Sequence, residues 1–106
     1  TETGLSLGTP HYMSPEQAAG RLDQLGPQSD VFSLGATLFC ILTGKSPVSE
    51  TDVGTVLRKV QQGDFPRPRA IKADVPPALE AICLKAMALK AGDRYPTPRE
   101  LADDLE

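Results

Sequence analysis

The chain has 106 residues, 40% of them hydrophobic and 24% charged, which suits one small globular unit and not a disordered tail. A formal net charge of -3 excludes the basic excess that a nucleic-acid-binding surface requires. Two cysteines far apart in sequence, Cys40 and Cys83, offer neither a disulfide framework nor a zinc site, and point to a reducing compartment.

The first residues, TETGLSLGTP, carry no basic start and no long apolar run, so they do not read as a signal peptide. The most apolar stretch, Val31 to Leu42, is too short to span a bilayer, which takes roughly 17–25 residues. The chain opens on a polar stretch and ends inside an amphipathic pattern, and both ends read as cuts through a longer protein.

The pattern predicts about five helices and no substantial sheet. Ser14-Pro15-Glu16-Gln17 opens the first. Ser can cap, Pro lacks the amide that would be orphaned, and Gln can reach back to the cap backbone. Gly20 is placed to stop this helix in the left-handed conformation. A second helix is expected from about Asp30 to Thr43, capped by Ser29 or Asp30 and ended by Gly44. Its apolar residues cover nearly the whole circumference, which predicts a helix at the centre of the fold. A third is expected over Asp52–Gln62, with Val53, Val56, Leu57 and Val60 on one face and Gly63 at its end. The stretch DFPRPRAIKADVPP follows; its prolines predict a stiff extended connector, with Arg67, Arg69 and Lys72 solvated. A fourth helix is expected over Pro77–Leu89, and a fifth from Thr97-Pro98-Arg99-Glu100, which repeats the capping pattern of the first.

Three motifs then occur in order. Gly8-Thr9-Pro10-His11-Tyr12-Met13-Ser14-Pro15-Glu16 resembles the end of a protein kinase activation segment, with Ser-Pro-Glu in place of Ala-Pro-Glu. Ser29-Asp30-Val31-Phe32-Ser33-Leu34-Gly35 resembles the start of the central helix of the kinase large lobe. Gly92-Asp93-Arg94-Tyr95 resembles the arginine motif near the end of that lobe. One such motif would be weak; three in matching order identify the chain as similar to bacterial kinases of the eukaryotic Ser/Thr type.

The resemblance implies a mainly α fold, a partial large lobe of the protein-kinase-like type. Residues 1–16 would be the activation segment and substrate loop, and 17–106 the helical body. It implies roles position by position. Thr9 would orient the acceptor hydroxyl near the catalytic acid, favouring Ser/Thr over Tyr. Tyr12 and Met13 would contact the substrate residue after the phosphorylated one. Thr1 and Thr3 fall where relatives are phosphorylated, a modification that adds about -1.5 to -2 charges and can order the segment. Asp30 would cap the central helix and brace the catalytic loop. Glu16 would pair with Arg94. Taken alone, Thr9 reads as a turn residue, and Glu16 and Arg94 as solvated surface charges. His11 lacks the partners of a base or metal ligand.

The sequence contains no Gly-rich loop, no strand lysine, no His-Arg-Asp and no Asp-Phe-Gly. ATP and magnesium would therefore serve the complete kinase, and this segment is expected to bind neither, nor any metal, and to be inactive alone. Expected partners are the rest of the kinase domain and proteins with Ser or Thr acceptors, with no nucleic acid and no membrane contact from this segment. A cytoplasmic location is implied, with a membrane anchor elsewhere in the parent left open. The competing reading is a non-catalytic helical interaction module or pseudokinase remnant.

Overall fold

A computed structural model of the chain describes residues 10–106. Among them there are helices, 3-10 turns and loops, and no strand. The α-helices are α1 (Pro15–Ala18), α2 (Pro27–Thr43), α3 (Val53–Gln62), α4 (Pro68–Ile71), α5 (Pro77–Ala86) and α6 (Pro98–Leu105), with 3-10 turns at Pro10–Tyr12, Leu22–Gln24 and Ala91–Asp93.

The boundaries follow from local chemistry. Ser14 and Gln17 make the reciprocal capping bonds at α1: Gln17 N–H donates to Ser14 Oγ (3.3 Å), and Ser14 N–H donates to Gln17 Oε1 (2.9 Å). Asp52 caps α3 and Thr97 caps α6 through their side-chain oxygens. Gly44 and Gly63, with φ of 77° and 65°, end α2 and α3 in the left-handed region that a Cβ disfavours.

Two expectations are corrected. The central helix begins a turn earlier than its apolar pattern. Gly26 is the N-cap and Pro27 the first helical residue, so Asp30 lies inside the first turn, exposed, and does not cap. Proline at the first position removes one orphan amide, and Ser29 Oγ accepts from Gly26 N–H at 3.3 Å; the start therefore needs no Asp cap. The proline-rich connector is not extended throughout. Pro68 opens a single helical turn, α4, and is itself fully buried. The turn is held by Glu80 of α5, which accepts from Arg69 N–H (2.9 Å) and from Arg67 Nη2 (3.4 Å).

Helix α2 is the axis. Phe32, Ala36 and Phe39 join Val48, Val56, Val60, Cys83 and Met87 in the main core. On another side Val31 joins Ala86, Tyr95 and Leu101 in a second cluster under α6. Phe65 from the connector meets Phe32 edge-to-face, with ring centroids 6.5 Å apart. The burial is one-sided, however. Leu34 is 45% exposed and Ile41 75% exposed, and with Thr37, Leu38, Leu101 and Leu105 they line an apolar groove of about 270 Å³. The all-round apolar pattern is thus half used within these residues.

Helix α2 comes close to the end of α5 at Gly35. A Cβ there would lie 2.8 Å from both Ala86 Cβ and Met87 Cγ, below any relaxed contact. Gly35→Ala would gain up to about 1 kcal/mol of helix propensity. Overpacking costs about 1–3 kcal/mol and outweighs it. Urea unfolding should therefore show net destabilisation in this variant; a stabilised variant would refute the tight α2–α5 packing.

Candidate functional site

The turn Pro10–Tyr12 and Met13 lie at the N-terminal edge of the body, immediately before α1. Tyr12 and Met13 are half-buried there. The Tyr12 ring packs against the main core, and its hydroxyl lies 3.4 Å from Cys40 Sγ on α2. That hydrogen bond holds the Tyr12 phenol above its ordinary pKa. Thr1, Thr3 and Thr9 lie outside the described residues.

The structure brings Glu16 and Arg94 together across 78 positions of sequence. Arg94 Nη1 donates to Glu16 Oε2 (2.8 Å) and Nη2 to Oε1 (3.0 Å), the parallel two-bond arrangement that a planar guanidinium favours. Both residues are buried, Arg94 at 3% exposure and Glu16 at 7%. The remaining donors are also used. Nη1 reaches Gln28 O (3.0 Å), Nη2 reaches Leu89 O (3.1 Å) and Nε reaches Ala88 O (2.7 Å). All five N–H donors of the guanidinium are thereby satisfied. The group also lies over the Phe32 ring, 5.0 Å from its centroid. Ser29 Oγ donates a further bond to Glu16 Oε2 at 2.7 Å.

Sequence reasoning named the pair but missed Ser29, the three carbonyls and Phe32. The order of the three motifs signals the charged partners, whereas backbone acceptors leave no trace in residue identity.

Burial alone would raise the Glu16 pKa. The hydrogen bonds from Arg94 and Ser29 overcome that cost and hold the carboxyl at about 2, against an ordinary 4.5. A depressed native pKa means that the stabilisation is complete above about pH 4.5 and is lost as pH falls towards 2.

Asp30 is exposed at the start of α2. Its spacing from Leu34, Thr37 and Ile41 puts it on the same helix face as the apolar groove. Cys83 is buried, and burial pushes its thiol up to about 12, so it is an inert core residue.

Among the described residues no group of three or more His, Cys, Asp or Glu is placed to hold a metal ion. A cleft of about 540 Å³ contains Lys45, Glu50, Lys59 and Asp64, with Lys59 Nζ 3.0 Å from Glu50 Oε2. No described helix is long and apolar enough to cross a membrane.

Residues 2–102 match the protein kinase domain family. The chain belongs to the protein kinase family. It is 44% identical over its whole length to the tyrosine-protein kinase MasK of Myxococcus xanthus, covering 16% of that protein. It is 41% identical over 99% of its length to the serine/threonine-protein kinase PknB of Mycolicibacterium smegmatis, again covering 16%. The PknB of Mycobacterium leprae is 38% identical over 99% of the chain, which covers 17% of it. The chain thus spans a small part of the kinases it matches.

The Glu16–Arg94 pair generates a direct test. Glu16→Gln or Arg94→Lys, made singly, should each cost about 3–5 kcal/mol, because one partner is stranded in the interior. Lysine has three donors on a point charge and cannot replace the five-donor fork. Combined, the two changes should cost clearly less than their sum, a coupling of about 1–3 kcal/mol in a denaturant-unfolding cycle. Strict additivity would show that the two are energetically independent.

Proposed function

We propose that this chain is the acceptor-side platform of a Ser/Thr protein kinase, which transfers the γ-phosphate of ATP to Ser or Thr hydroxyls of proteins. The observation that carries this reading is the fixed position of the substrate turn. Pro10–Met13 leads straight into α1, and α1 is stapled by Glu16 to a fully saturated, buried Arg94 at the base of the body. A loop that must present one hydroxyl acceptor after another in a constant geometry needs such a foundation.

In this reading residues 1–16 carry the activation segment and substrate loop, and 17–106 support them. Tyr12 and Met13 form the surface for the residue following the acceptor. Thr9 orients the acceptor hydroxyl and favours Ser and Thr. Phosphorylation at Thr1 and Thr3 orders the segment through added negative charge. Magnesium-ATP, bound elsewhere in the complete kinase, supplies the phosphoryl group. The apolar groove along α2 is the seat for the rest of the kinase domain, and Asp30, on the same face, braces the catalytic loop there. The reducing compartment suggested by two unpaired cysteines agrees with a cytoplasmic location.

One relative is named a tyrosine kinase and others serine/threonine kinases, so acceptor choice is the point to measure. The complete kinase containing this segment, given magnesium, labelled ATP and a general protein substrate, should yield phosphoserine and phosphothreonine on amino-acid analysis. Phosphotyrosine alone would overturn the proposed acceptor. No transfer at all would favour a pseudokinase or interaction module.

A further inference from the structure

Within the described part of the turn, Met13 N–H donates to Pro10 O at 3.3 Å. Its place on the body is set by side chains. Ser33 Oγ, on α2, donates to the Tyr12 carbonyl at 2.7 Å. His11 Nε2 lies 2.8 Å from the Glu50 carbonyl. A carbonyl can only accept, so Nε2 carries the hydrogen. Cys40, two helical turns beyond Ser33 on the same face, meets the Tyr12 hydroxyl.

The Ser33 contact is not the default of a helical hydroxyl. Thr37 and Thr43, on the same helix, bond back to the carbonyls four residues earlier, Ser33 O at 3.0 Å and Phe39 O at 2.8 Å. Ser33 instead reaches out of its helix to the turn. The His11 acceptor is equally well held. The Glu50 side chain is locked to Lys59 of α3 at 3.0 Å, and Asp52, two residues on, caps that helix. His11 therefore ties the turn to the segment that leads into α3.

We propose that His11 and Ser33 are positioning residues for protein substrate. They hold the turn across α2, so that Tyr12 and Met13 form a preformed surface for the acceptor chain. Neither touches the phosphoryl group, and both act through the backbone they fix. The proposal rests on the reading of Pro10–Met13 as the substrate loop. Its signature is selective: a loosened turn must be re-ordered each time an acceptor binds, which weakens acceptor binding and leaves nucleotide binding alone.

The test uses the complete kinase containing this segment. His11→Ala and Ser33→Ala, combined, should raise KM for the protein substrate about tenfold, the value of one to two neutral hydrogen bonds. KM for ATP should stay unchanged. His11→Gln and Ser33→Thr, which keep a donor, should recover most of the loss. Hydrogen exchange at the Met13 amide should accelerate in the double Ala variant, a readout independent of catalysis. An unchanged KM for protein, a parallel rise in KM for ATP, or unaltered Met13 exchange would overturn the proposal. Met13→Asp, assayed alongside, separates the two levels. If it raises KM for protein while the His11 and Ser33 variants do not, the substrate-loop reading stands and the positioning role fails. If it too leaves that KM unchanged, the substrate-loop reading fails, and the positioning role with it.

Discussion

A buried guanidinium is costly unless each of its N–H groups meets an acceptor, and Arg94 meets that condition in full. Its partners come from α1, from the start of α2 and from the segment after α5. No two of these pieces are neighbours in sequence, yet their relative placement is set by one side chain of fixed shape. Ser29 adds a bond from α2 to the same carboxylate, so Glu16 is held from two directions. The turn Pro10–Tyr12 leads into α1, which this knot holds, and the contacts of His11, Ser33 and Tyr12 tie the turn to the body.

Helix α2 divides the remaining work between two faces. One carries Phe32, Ala36 and Phe39 into the core, with Gly35 letting α5 approach. The other leaves Leu34 and Ile41 uncovered beside Leu101 and Leu105. An apolar groove on a helix that is otherwise the axis of the fold fits a surface meant for protein contact. In the proposed function its occupant is the remainder of a kinase domain.

Helix ends were legible where short-range rules act, whereas the core face of α3 was legible only in part, Val53 being exposed. Ser14 with Gln17, Asp52 and Thr97 declare their caps within four residues, and the glycines after α2 and α3 stand where a left-handed stop is needed. Asp30 misled because an acid before an apolar run looks like a cap, while the true start, Gly26-Pro27, carries no capping side chain. The α4 turn was hidden because proline reads as a breaker, although it opens a helix as readily as it ends one; its anchor, Glu80, lies well downstream. At the site, motif order pointed to Glu16 and Arg94. The roles of Ser29, Ser33 and His11 were illegible because their partners are backbone carbonyls or distant side chains that only the fold brings near.

The central claim is that Glu16 is ionised and buried in the grip of Arg94, and the titration of that one carboxyl tests it most directly. The side-chain carboxyl carbon of Glu16 can be followed by NMR as pH is lowered, in the complete domain with glutamate labelled. The account predicts a midpoint at about 2, far below its ordinary 4.5. A midpoint at or above 4.5 would contradict it, showing a carboxyl governed by solvent or by burial alone.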